Sequence, residues 1–202
     1  MKSISYLYIF FVFMFIAIAL FSCNPAYALD NFSQHNVKAK FGNASIAYRG
    51  HNNLDKWMTQ IDYKPGKVGY AYRYQENKGN VEHRLRLNSP SLITLGNLKF
   101  VPRLEYRYFE KKGKDDFLSL WVRWQYKQKI TNNLNGYIWV APKLSFDQDG
   151  RDNGDFSGSQ NRLGCEYKLT DNVSFGIFGE KNFDDDWNTK SVFLGTELTF
   201  KF

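Results

Sequence analysis

Arginine and lysine recur in this 202-residue chain at alternate positions of short alternating runs. Arg73, Arg84, Arg86, Arg103, Arg107, Arg123, Lys143, Arg162 and Lys168 each stand on the polar parity of a segment whose other parity is aliphatic or aromatic. The same parity also holds Asp62, Glu82, Glu105, Glu166, Glu180 and Glu197. A guanidinium stays charged and binds planar carboxylates through a fork of N–H donors. Gathered on one surface, such side chains favour anions. The interleaved carboxylates support a second reading, in which Arg–Glu networks fill an interior as a plug.

Other chemistries find less support. Nucleophilic catalysis in membrane hydrolases needs a Ser beside an activating His. The residues two places beyond His35, His51 and His83 are Val37, Asn53 and Leu85, so that spacing is missing. A site built on loop Asp residues and His51 near Asp55 leaves an enzyme as the lesser alternative. Asp147, Asp149, Asp152 and Asp155 share one loop without the Glu that closes a hand-type calcium site, and read as a solvated loop. No metal or other cofactor is expected. The cysteines are Cys23 and Cys165, so a chain that loses its amino terminus keeps one and forms no internal disulfide. A net charge of +7 and a pI near 9.3 would suggest nucleic acid in a cytosolic protein. The export signal and the lack of a basic helical pattern argue against that partner.

That signal occupies residues 1–28: Lys2, an apolar run from Ile4 to Phe21, then Ala26-Tyr27-Ala28, the layout of a secretory signal peptide cut after Ala28. An uncleaved anchor helix and a lipoprotein acylated at Cys23 are the alternatives. Residues 29–202 then form the mature domain. Its last eleven residues place Val192, Leu194, Leu198, Phe200 and Phe202 on one parity and Glu197 and Lys201 on the other. Period two marks a strand. A tilted strand of about 9–11 residues crosses a bilayer. An apolar-out strand ending on Phe202 resembles the carboxy-terminal strand by which outer-membrane barrels are engaged by their assembly machinery.

Upstream, Val37, Ala39 and Phe41 change parity to Ala44, Ile46 and Tyr48 across Gly42-Asn43. This reads as one strand with a bulge, since hairpin arms there look too short to span. Residues 29–36 read as a polar periplasmic start, and 49–55 as a loop. Alternation marks further strands near 56–63, 68–74, 81–88, 99–108, 118–126, 134–146, 162–169 and 173–177. Pro90 interrupts the least regular stretch, where 92–95 supplies a possible extra strand. Short turns at 64–67, 128–133 and 170–172 fall on one side. Longer polar loops near 49–55, 75–80, 110–116, 147–158 and 183–190 fall on the other. The expected fold is all-β, an antiparallel transmembrane β-barrel of about ten strands, with twelve possible. Aromatics at 18% suit girdles at two membrane interfaces.

An arginine-lined small barrel with the run Arg103-Leu104-Glu105-Tyr106-Arg107-Tyr108 and the terminal Thr199-Phe200-Lys201-Phe202 resembles the oligogalacturonate-specific porins. That resemblance implies twelve strands, a monomer, and passage of acidic oligosaccharides through a basic pore. The expectation is therefore a bacterial outer-membrane porin passing small anionic solutes. Its partners would be outer-membrane lipid and lipopolysaccharide, the assembly machinery at the strand ending in Phe202, and the solute. A plugged structural or surface-interaction barrel is the alternative.

Overall fold

A computed structural model describes residues 33–51, 56–111, 116–147 and 153–202. The signal peptide expected over 1–28, with Cys23 and the Ala28 site, lies outside them. So do residues 148–152, which hold Asp149 and Asp152. The strands are β1 Ser33–Phe41, β2 Ala44–His51, β3 Lys56–Tyr63, β4 Gly69–Asn77, β5 Asn80–Asn88, β6 Ile93–Leu95, β7 Leu98–Phe109, β8 Phe117–Lys129, β9 Leu134–Asp147, β10 Asn153–Lys168, β11 Val173–Phe183 and β12 Thr189–Lys201.

These strands form a closed mixed barrel of eleven strands plus the short β6. β7 pairs with β5, and β1 lies parallel to β12, with Val37 opposite Leu198. All other neighbours are antiparallel. An up-and-down meander reverses direction at each turn, so an odd number of staves leaves its first and last strands pointing the same way. One parallel seam follows. The seam is tied at its foot, where Phe202 N–H donates to the Lys40 carbonyl at 2.9 Å and the Phe202 ring stacks on Phe41 at 5.0 Å.

Two local features set the count. Gly42 has φ +54°, and Phe41 pairs with Ala44, so Gly42-Asn43 makes a tight hairpin rather than a bulge in one strand. The arms are long enough because polar residues extend them. Gln34 pairs with His51 and Asn36 with Arg49, so 33–36 belong to β1 and 49–51 to β2. In a barrel with a polar interior, inward positions of a strand are polar, and the usual link between polarity and loops fails. At the second feature, Pro90 adds no stave. β5 pairs with β7 along Arg103–Phe109, and β6 pairs with the same edge at Leu98–Phe100. β6 thus continues the line of β5 past the interruption, with Ser89 and Leu92 N–H groups still bonded to Pro102 and Phe100 carbonyls. The three corrections to the expected architecture are the hairpin, the odd count and the parallel seam.

Connections sort by end. Turns 42–43, 64–68, 130–133 and 169–172 and the segment 89–97 that carries β6 lie at the end where β12 finishes; turns 78–79 and 184–188, with the ends of β2 at His51, β7 at Phe109 and β9 at Asp147, lie at the other. Because β1 runs parallel to β12, its start lies towards the second end. Residues 33–36, the described part of the expected periplasmic lead-in, are therefore the start of a barrel strand at that second end.

Polarity is inverted relative to a soluble domain. Val37, Ile46, Ile61, Tyr63, Tyr72, Leu85, Leu104, Trp124, Phe175, Ile177 and Leu194 are exposed on the outside. Glu82, Arg86, Glu105, Arg162 and Glu180 are buried inside. One small apolar cluster, Tyr126 and Ile138 with Leu98 and Leu163 against them, is buried on the outward parity.

The seam can be tested by oxidation. Strands lie about 4.8 Å apart, within reach of a disulfide between facing residues. In a Cys165→Ser background, Val37→Cys with Leu198→Cys should cross-link under mild oxidation, which a gel-mobility shift reports. Absence of the cross-link in a folded barrel would contradict the parallel register.

Candidate functional site

Strand register brings inward side chains into rows. One row runs Gln60, Arg73, Arg84, Arg107 across β3, β4, β5 and β7; the next runs Asp62, Ala71, Arg86, Glu105, Ser119 through β8. Glu105 is fully buried, at 0% exposure, and is the centre of this wall. It accepts from Arg86 Nε and from Arg107 Nε at 2.8 Å, with Arg84 at 3.6 Å and Arg103 at 4.0 Å. Glu82 accepts from Arg84 Nε and Nη2 at 2.6 and 2.9 Å. Gln60 Oε1 accepts from Arg73 Nη2 at 2.7 Å and from Arg86 Nη1 at 2.8 Å. Forked donors around shared acceptors are what make buried charge tolerable in low dielectric.

Across the barrel, Glu180 on β11 accepts from Arg162 Nε at 2.9 Å and from Gln160 Nε2 at 2.5 Å. The Arg162 guanidinium lies 3.9 Å from the Phe178 ring centre. Phe178 is a bulky inward residue, 2% exposed, and its row reads Gly164, Phe178, Gly195. A side chain on Gly195 would collide with the Phe178 ring, and a Cβ on Gly164 would sit 2.8 Å from Phe178 Cβ. Two glycines therefore make room for one aromatic inside a narrow barrel.

Among the described residues the interior holds a larger and a smaller cavity. The larger, about 450 Å³, is bordered among the described residues by Lys38, Arg49, Lys56, Arg73, Arg84, Arg86, Arg103, Arg107, Arg123, Lys143, Arg162 and Lys190, against the carboxylates of Glu180 and Glu197. The smaller, about 190 Å³, lies towards the end where β12 finishes and is bordered by Lys127, Tyr137, Glu166 and Ser174. Trp139, Arg162 and Glu197 border both. Arg103 on β7, Arg123 on β8 and Lys143 on β9 differ from the arginines of β5. Arg103 stands 4.7 Å over Trp121, Lys143 Nζ 5.9 Å from the same ring, and Arg123 5.8 Å from Trp139.

Eight of the nine cations singled out from the sequence border the larger cavity. Lys168 does not. It is exposed at the last position of β10 and pairs with Asp171 in the turn that follows, which holds that carboxyl below its usual range. Parity alone misplaces it because a strand's last inward residue clears the rim. Arg49 was the clearest omission. Its segment looked like a loop, yet Arg49 Nε donates to Asn36 Oδ1 at 2.8 Å inside β2. His51 also leaves the expected loop: it is buried, borders the larger cavity and sits edge-on to Phe193 at 5.2 Å. His83 faces outward between Tyr72 and Glu110, at 2.7 and 2.8 Å. The aromatic partners Trp121, Trp139 and Phe178 carry the inward parity, but no sequence signal marks which cations they would meet.

No family model matches the chain, and no curated protein matches it. Among solved structures it is similar to the outer membrane channel DcaP of Acinetobacter baumannii, with 12% identity and a TM-score of 0.32. The match covers 79% of this chain and 58% of that one, so this chain spans little more than half of the channel's length. At that score the likeness decides nothing about solute or pore.

Gly195→Ala should destabilise the barrel by about 1–3 kcal/mol through overpacking. Adding Phe178→Leu should restore part of that loss, as followed by the temperature at which the folded band disappears from gels of unheated samples. A single mutant as heat-resistant as wild type would show that Phe178 does not lie over Gly195.

Proposed function

We propose that this protein is an outer-membrane barrel that passes small anions through a narrow, arginine-rich lumen. One observation carries the reading: the inversion of polarity across the strands. A sheet whose outside exposes Leu85, Ile61, Ile177 and Leu194 would aggregate in water but is stabilised by lipid. Closure supports the same environment, because hydrocarbon leaves no solvent to satisfy an open edge. Inside, the cations bordering the larger cavity outnumber the carboxylates, which makes the potential positive for solutes that enter.

Barrel size bears on conduction. Eight strands are filled by side chains and sixteen leave a water channel. Eleven lies between, consistent with a constricted path. The constriction in this reading is where the two cavities meet, at Trp139, Arg162 and Glu197. The Arg–Glu lattice around Glu105 favours the second reading, a barrel plugged by its own side chains. The finer assignment, to acidic oligosaccharides, rests on the arginine forks and their affinity for carboxylates.

Leu85→Arg, on the outer face, should cost roughly 2–4 kcal/mol if that position lies near mid-bilayer, and Leu85→Phe should be close to neutral; reversible unfolding in lipid measures both. Purified protein in planar bilayers should show a small conductance with reversal potentials favouring anions. A digalacturonate should block it more strongly than an uncharged disaccharide. A heat-resistant, folded barrel that never conducts would establish the plugged alternative.

A further inference from the structure

The cations of the lumen fall into two classes. Arg84, Arg86 and Arg107 are paired with Glu82 and Glu105. Along β7–β9 the balance differs. Arg103, Trp121 and Lys143 face each other directly across three neighbouring strands. Among the described residues Lys143 has no carboxylate partner, and Arg103 approaches one only at 4.0 Å. Three buried polar atoms lack hydrogen-bond partners among the described residues: Arg103 Nε, Trp121 Nε1 and Ser119 Oγ. All three lie on the facing strands β7 and β8, with Ser119 one inward position from Trp121. Trp121 is 9% exposed, so its indole N–H is held away from bulk solvent.

Unsatisfied buried donors carry a desolvation penalty that a ligand acceptor can remove. Here Arg103 Nε and Trp121 Nε1 are obligate donors on residues that border the larger cavity, and the two nearest cations lie 4.7 and 5.9 Å from one ring. Such a site repels cations and offers a neutral apolar solute nothing. It fits an acceptor-rich anion able to reach both charges. We propose that Arg103, Trp121 and Lys143 form a subsite for compact polycarboxylates, and that selectivity resides there rather than in the Arg–Glu lattice. This deepens the anion-channel reading and rests on it for access through the lumen. The lattice keeps the wall closed; the β7–β9 row meets the solute.

Citrate is the probe. In planar bilayers it should block the chloride current of the wild type, and Arg103→Gln with Lys143→Gln should weaken that block at least about tenfold, the scale of losing one charge-assisted hydrogen bond. Lys38→Gln, which removes one lumen charge paired with Asp62 at 3.8 Å, should change it by about twofold or less, as expected for loss of a screened charge alone. Equal weakening by both variants would show a diffuse field and overturn the subsite. A second measurement does not need conduction. Citrate should change the tryptophan fluorescence of the detergent-solubilised barrel, and Trp121→Phe should abolish that change while the protein keeps its heat resistance. A fluorescence response without conductance would sink the channel reading and leave the subsite standing. Conductance with neither citrate block nor fluorescence response would remove the subsite and leave the channel.

Discussion

Closure of the sheet is the constraint on which everything else depends. A strand edge is a row of unpaired N–H and C=O groups, and only a closed ladder removes it. The chain supplies eleven staves, so closure requires β1 to accept a parallel partner in β12. Parallel pairing is slightly weaker per residue than antiparallel pairing. At this seam it is reinforced from the carboxyl terminus, where Phe202 bonds Lys40 and stacks on Phe41. Phe202 is thus part of the closure.

Closing a sheet of this size leaves a small interior, and the sequence fills it with charge. Burying ions is expensive unless each is paired in good geometry. Glu105 meets that requirement by accepting from Arg86 and Arg107, with Arg84 at 3.6 Å, which explains why a single carboxylate can lie at zero exposure within a basic lumen. Glu180 does the same for Arg162, with Phe178 beneath the guanidinium. Arg103 and Lys143 stand over the Trp121 ring and Arg123 over the Trp139 ring. Aromatic faces attract cations without cancelling their charge. Carboxylate pairing and indole stacking therefore leave different net fields, and that difference separates a strut from a binding group.

Much of the fold could be read from period-two alternation. Strands such as Phe117–Lys129 and Thr189–Lys201 were legible because lipid-facing and lumen-facing positions differ sharply in polarity. Where both faces carried polar or small residues, the signal failed. Gln34, Asn36 and Arg49 looked like connection because their polarity resembles that of a loop, although inward polarity is what this barrel demands. Pro90 correctly marked an interruption. Only pairing with β7 shows that the chain resumes on the same edge instead of starting a new stave.

The sequence by itself determined the face of each well-patterned strand, and hence that Arg73, Arg84, Arg86, Arg103, Arg107, Arg123, Lys143 and Arg162 share the interior. That follows because side-chain direction in a strand is a local property, fixed by backbone geometry. Tertiary structure decided which of these charges are spent. Register sets Arg86 opposite Glu105 and Arg103 opposite Trp121, and a shift of one residue would exchange those partners for outward ones. Pairing depends on distances between strands remote in sequence, such as the β1–β12 seam, and no local pattern encodes them.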